Sequence, residues 1–203
     1  MSAPHHAAPA GFLRRCVFST DHKVIGIQFL FTSLVMLLVG GLLAMLLRWQ
    51  LGWPGRPLAF MERLAPDGMP GGVMVPEYFN MLFTMHGSIM IFFAIIPLLV
   101  GVFGNYLIPL KIGAGDMAFP RVNMISYWLL PPAILIVCAG FLLEGGAAAS
   151  GWTAYAPLST TLGPGQACWI VGIIVLGASS ILGAVNYVTT VINLRAPGMS
   201  FFR

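Results

Sequence analysis

The stretch "EYFNMLFTMHGSIMIFFAIIPLL", Glu77 to Leu99, holds one histidine, and beyond Glu77 nothing charged to pair with it. An imidazole in hydrocarbon needs partners for both nitrogens, and an ionisable group at membrane depth marks a site. Two chemistries meet that need. His86 hydrogen-bonds a carbonyl or hydroxyl of a neighbouring helix, or one nitrogen binds a metal or haem iron while the other donates to a carbonyl. Gly87 follows directly and leaves room for a large flat group or a second backbone. Arg48 closes the preceding apolar run at a similar depth. It is either an interfacial arginine with its stem in lipid or a donor to a carbonyl, formyl or carboxylate on a bound cofactor. The agreement in depth with His86 favours the second. His5 and His6 lie in a polar tail, and His22 precedes the first apolar run, nearly a bilayer away from His86. A haem held by His86 therefore takes its other axial ligand from outside these residues.

A second constellation lies toward the opposite side. Asp116 sits in the loop "KIGAGDMAFPR", Asn105 near the end of the second apolar run, and Asn123 at the start of the third. Asn186 lies about two turns inside the end of the fourth run, with Ser179 and Ser180 roughly two turns deeper. Taken singly, each has an ordinary use: Asp116 pairs with Lys111 or Arg121, the asparagines cap helices, the serines bond their own backbone. Taken together they grade from a charged mouth to amides and hydroxyls, which is what a water file carrying protons requires.

The elements that position these residues follow from composition. Of 203 residues 58% are hydrophobic and 8% charged, far below the quarter or so that covers a soluble domain. The chain reads as all-α and polytopic, with four transmembrane helices spanning approximately 24–47, 78–110, 122–143 and 168–194. Residues 1–23 form a polar N-terminal segment without a signal peptide's pattern, and 24–203 the membrane part. Pro97 and the Pro131-Pro132 pair are expected to bend their helices. Arg14, Arg15, Lys23, Lys111, Arg121, Arg195 and Arg203 fall on one side, and Arg48, Arg56 and Arg63 on the other. Seven against three places both ends in the cytoplasm and accounts for the net charge of +4 without nucleic acid. Cys16, Cys138 and Cys168 lack metal-type spacing, and the last two read as small buried residues.

With these residues in view, the motifs "STDHKVIGI", "TMHG", "FGNYLIPLKIGAGDMAFPRVN", "GWTAYAPLST" and "GASSILGAVNYVTTVINLRAPGMSFF" resemble the largest subunit of the haem–copper oxidases, of the cytochrome c oxidase type. The resemblance runs from about Val17 to Arg203 and covers the first four helices of a subunit of about twelve. It implies that His86 is one axial ligand of a low-spin haem, haem a. Arg48 would bond the haem formyl group, and Trp152 would lie near the propionates. Asp116, Asn105, Asn123, Asn186, Ser179 and Ser180 would line the lower part of the D-channel for proton uptake. The second haem ligand, the high-spin haem and the copper ligands are expected beyond Arg203. Implied partners are the rest of subunit I or a completing chain, other subunits including the dicopper-bearing one, and cytochrome c as donor, in a bacterial inner membrane.

Three departures qualify the match. Gln50 in "RWQL" stands where the family often has a glutamate tied to a bound cation, and Gly115 replaces a proline before the aspartate. Positions that serve quinol in the quinol-oxidising branch align with Val39, Leu43, Tyr78 and Met81, none able to do so. The alternatives are a non-catalytic transporter or scaffold bundle, with His86 and Arg48 as packing residues, and a quinol-oxidising or nitric-oxide-reducing relative.

Overall fold

The computed structural model describes residues 11–161 and 163–200. The tail with His5 and His6, and Arg203, lie outside the described residues. Among the described residues the regular elements are helical, without a strand. Four helices are long and apolar enough to cross a membrane: α1 (His22–Gly52), α2 (Pro76–Ile112), α3 (Pro120–Leu142) and α4 (Pro164–Asn193).

Three of the four spans begin and end within a few residues of the expected bounds, and the differences share one cause. Hydropathy marks the part of a helix that hydrocarbon tolerates, whereas capping decides where the helix starts. The Asp21 carboxylate accepts from the backbone N–H groups of Lys23 and Val24, so α1 starts at His22. Pro76, Pro120 and Pro164 open the other three, where a missing N–H costs nothing. At the other end α1 runs on to Gly52, so Arg48 stands inside the last turns and does not end the helix.

Proline acts differently in α2 and α3. In α2 the hydrogen bonding widens to i→i+5 over Ile89–Ile95 and Pro97–Gly104, on both sides of Ile96. In α3 the α-helix continues from Pro120 to Ala139 through Pro131 and Pro132 without a break. A helix in a bundle accepts such prolines when neighbours occupy the freed carbonyls.

Helix α1 packs along α2 and, by its first half, against α3; α3 and α4 pack along their length, and the last turns of α2 meet α4. The centre is apolar and sealed: Met85, Ile89, Phe93, Leu130 and Ala133 are fully buried. Phe31, Leu38, Leu135, Ile174 and Ile181 face outward and exposed, as lipid or further helices require. Cys138 and Cys168 are half-buried, less enclosed than expected, because their faces turn toward this apolar outside.

The bundle has two ends. The near end carries the N-terminal segment, the loop after Ile112 and the residues after Asn193; the far end carries the loops 53–75 and 143–163. At the near end the Val17 carbonyl accepts from Gln28 Nε2 (2.8 Å) and Trp128 Nε1 (3.0 Å), fastening the pre-helix segment to α1 and α3.

Candidate functional site

His86 lies ten residues inside α2, about 15 Å from its far end. Its Nδ1 is 2.9 Å from the carbonyl oxygen of Gly40 on α1. A carbonyl only accepts, so Nδ1 carries a proton, and in the neutral ring the lone pair is on Nε2. Nε2 has no protein partner among the described residues. Close approach of the two helices makes this bond: a Cβ at position 40 would come within 2.7 Å of Met90 Sδ and 3.2 Å of Ile89 Cγ2, and glycine avoids both.

The loop 143–157 is fastened over this part of α2. The Ala147 N–H donates to Met81 Sδ (3.1 Å), the Gly151 N–H to Thr84 Oγ1 (2.9 Å), and Ser150 Oγ to Gln166 Oε1 (2.8 Å). The fastening sets Trp152 beside Gly87, where a Cβ would lie 3.4 Å from the indole Cδ1. The indole is 6.1 Å from the Phe92 ring and 43% exposed, so one face remains open. Arg48 is exposed, eight residues beyond Gly40 on α1, or about 12 Å further toward the far end.

This arrangement fits a haem iron in one specific respect. His86 offers a fixed, lone-pair-bearing Nε2 whose partner nitrogen is already committed, the pattern that orients a metal-bound histidine. Among the described residues no three His, Cys, Asp or Glu side chains gather to hold an ion, so the site offers a single axial donor.

At the near end the sequence-predicted polar residues divide by their partners. Asn123 is fully buried, and both its amide atoms lack a protein partner. Asn105 is fully buried; its Nδ2 donates to Gly101 O (2.7 Å) and to the Tyr187 hydroxyl (2.8 Å), while Oδ1 has no protein partner. Ser179 donates to the carbonyl of Ser126, whose own hydroxyl donates to Asn123 O (2.7 Å). Ser180 is exposed at the edge of a small cavity, about 50 Å³, shared with Ser126, Ser179 and Tyr187. Asp116 is half-buried, with Oδ1 accepting from the Met117 N–H (2.7 Å).

Asn186 is engaged at both ends. Its Oδ1 accepts from the Phe119 N–H (2.9 Å) and its Nδ2 donates to the Phe119 carbonyl (3.1 Å). Thr190 accepts from the Ala118 N–H (2.9 Å). Together they strap the loop that carries Asp116 onto α4.

Three residues of this region escaped the sequence reading, Ser126, Tyr187 and Thr190, and a fourth, His22, was set ahead of the first helix. His22 does not precede α1 but is its first residue, buried, with Nδ1 2.8 Å from the Asn105 carbonyl. The cause is readable: Pro109, four residues after Asn105, has no N–H to give that carbonyl. His22 supplies the missing donor from the next helix.

The chain folds as a polytopic, all-helical membrane protein with polar side chains gathered toward each end of its bundle. Residues 24–203 match the profile of the family described as "Cytochrome C and Quinol oxidase polypeptide I", and the chain belongs to that family. It is 46% identical over 201 residues to a probable cytochrome c oxidase subunit 1-beta of Nocardia farcinica, covering 98% of this chain and 32% of the relative. It is 42% identical over 200 residues to a cytochrome c oxidase subunit 1 of Thermostichus vulcanus, covering 98% and 33%. A putative subunit 1-beta of Streptomyces coelicolor is 46% identical over 194 residues, covering 94% and 31%. The chain thus spans about a third of the length of the curated relatives it matches.

Proposed function

We propose that this chain contributes the first four membrane helices of the catalytic subunit of a proton-pumping terminal oxidase. In this reading His86 would hold part of a low-spin haem, haem a, which would relay electrons from cytochrome c toward a high-spin haem and copper held by other residues for the reduction of O₂ to water. The observation that carries the reading is the His86–Gly40 bond, which commits Nδ1 and leaves Nε2 as an axial donor. The low-spin haem supplies one-electron transfer when bound. The Gly40 carbonyl holds the ring in one orientation and raises the basicity of Nε2. Arg48 would donate to the formyl group of the bound haem, and Trp152 would lie near its propionates.

Proton uptake begins at Asp116, which collects protons at the near end. Asn105, Asn123, Ser179 and Ser180 offer amides and hydroxyls to a water file above it, and Asn186 sets the loop at its mouth. Support comes from Asn105 Oδ1 and both amide atoms of Asn123, which are buried without a protein partner, since buried polar groups are met by water when protein does not meet them. The positions that would serve a quinol are occupied by packing: Met81 is buried and accepts from Ala147, and Tyr78 packs on Gly68. This favours cytochrome c as donor. The membrane is the bacterial inner membrane with the near end in the cytoplasm, supported by Arg15, Lys23, Lys111, Arg121 and Arg195 there against Arg48, Arg56 and Arg63.

The test is His86→Leu in the complete oxidase complex. The low-spin haem band is expected to vanish from the reduced-minus-oxidised spectrum. A band of full intensity would return His86 to a packing role and the chain to a non-catalytic bundle.

A further inference from the structure

Tyr187 belongs to none of the roles above, yet its hydroxyl sits at the junction between Asn105 and the serine-lined cavity. It accepts from Asn105 Nδ2 at 2.8 Å and donates to the Val100 carbonyl at 2.9 Å. Its ring lines the cavity shared with Ser126, Ser179 and Ser180. The ring reaches this place over Gly104, where a Cβ would stand 2.9 Å from Tyr187 Cζ.

The bonds around Asn105 fix which way its carboxamide points. The Gly101 carbonyl only accepts, so the amide atom facing it is nitrogen. The tyrosine hydroxyl spends its one proton on Val100 and presents a lone pair to the second amide N–H. Both N–H groups are then used, and the fully buried Oδ1 is left as an acceptor without a protein donor. Remove the hydroxyl, and the side chain loses one of the two bonds that determine this polarity.

We propose that Tyr187 is a positioning residue of the proton route: its hydroxyl locks the Asn105 carboxamide so that only its oxygen faces the water. Such a fixed acceptor orients the neighbouring water with a hydrogen toward Asn105 and its lone pairs away, the polarity a proton arriving from Asp116 needs. The inference rests on the reading of Asp116 and the polar residues as a proton-uptake route.

The test uses the complete oxidase complex and follows proton uptake with a pH-sensitive dye while the reduced enzyme is oxidised by O₂. Tyr187→Phe keeps the ring and is expected to slow uptake about tenfold, with an unchanged haem spectrum. Asn105→Leu is expected to slow it at least as much. The double variant is expected to be no slower than Asn105→Leu alone, because Tyr187 acts through Asn105. Gly104→Ala supplies a second approach: it displaces the ring without removing the hydroxyl, and slows uptake in the same sense. Asp116→Asn is the control. If that control is blocked while Tyr187→Phe and Gly104→Ala take up protons at the normal rate, Tyr187 has no such role. Multiplying effects in the double variant overturn the coupling to Asn105 and leave Tyr187 a packing residue. If Asp116→Asn itself is unimpaired, the proton route falls, and this inference with it.

Discussion

His86 and Asn123 are both polar side chains enclosed in apolar helices, and the protein treats them in opposite ways. Around His86 one nitrogen is bonded to Gly40, the loop above is fastened by three hydrogen bonds, and the neighbouring helix is drawn in by a glycine. A single lone pair is left. Around Asn123 neither amide atom has a protein partner, and Asn105 keeps a bare oxygen. A ligand to a large cofactor must be rigid, because misplacement by an ångström forfeits the bond. A proton route must be lined by groups that water can satisfy and rearrange around. On the proposed roles, enclosure among apolar helices does not separate the two cases; the count of committed partners does.

The largest expected effect breaks the rigid half. Gly40→Val forces a branched side chain onto Met90 and Ile89 and pushes α1 from α2. Haem content of the purified complex, read from the reduced spectrum, should fall to about a tenth or less, since overpacking of this kind is not absorbed by one rotamer. Retention of full haem would mean that the Gly40 contact is incidental. Next in size, Asp116→Asn should slow proton uptake by about tenfold or more with normal haem content, separating the two halves cleanly.

A smaller effect divides the asparagines. Asn186→Leu strands the N–H of Phe119, whose carbonyl keeps the Asn123 N–H, and should cost about 1–3 kcal/mol, read as thermal loss of the complex in detergent. Asn123→Leu removes a side chain with no protein partner and should change stability by no more than about 1 kcal/mol, while impairing proton uptake. Equal destabilisation by the two would erase the distinction between strap and lining. The smallest effect is at Gly87→Ala, whose Cβ makes ordinary contact with Trp152. A slight shift of the haem band, with stability altered by less than about 1 kcal/mol, is expected.

Much of the fold was legible in the residues because hydrocarbon imposes so plain a demand: four apolar runs of sufficient length had to be helices. Their ends were less legible, although Pro76, Pro120 and Pro164 offered the signal, since hydropathy falls off gradually where helical hydrogen bonding does not. His86 stood out as the only histidine inside an apolar run, and its Gly40 partner did not, because a backbone carbonyl has no identity in sequence. The near-end polar residues could be gathered by depth, but depth does not say which amide grips a loop. Asn186 and Asn123 looked alike until Phe119 was seen between the arms of one of them. Tyr187 carried a signal that went unused: a tyrosine in an apolar span must find its hydroxyl a partner.

The bond between His22 and the Asn105 carbonyl has a consequence for how the protein is made. If α2 entered the bilayer alone, Pro109 would leave it with a bare carbonyl at Asn105, and an unmet peptide group in lipid costs several kcal/mol. The donor that meets it is carried by the helix synthesised immediately before. The first two helices thus form a hairpin whose later arm has its Asn105 carbonyl met by its earlier one.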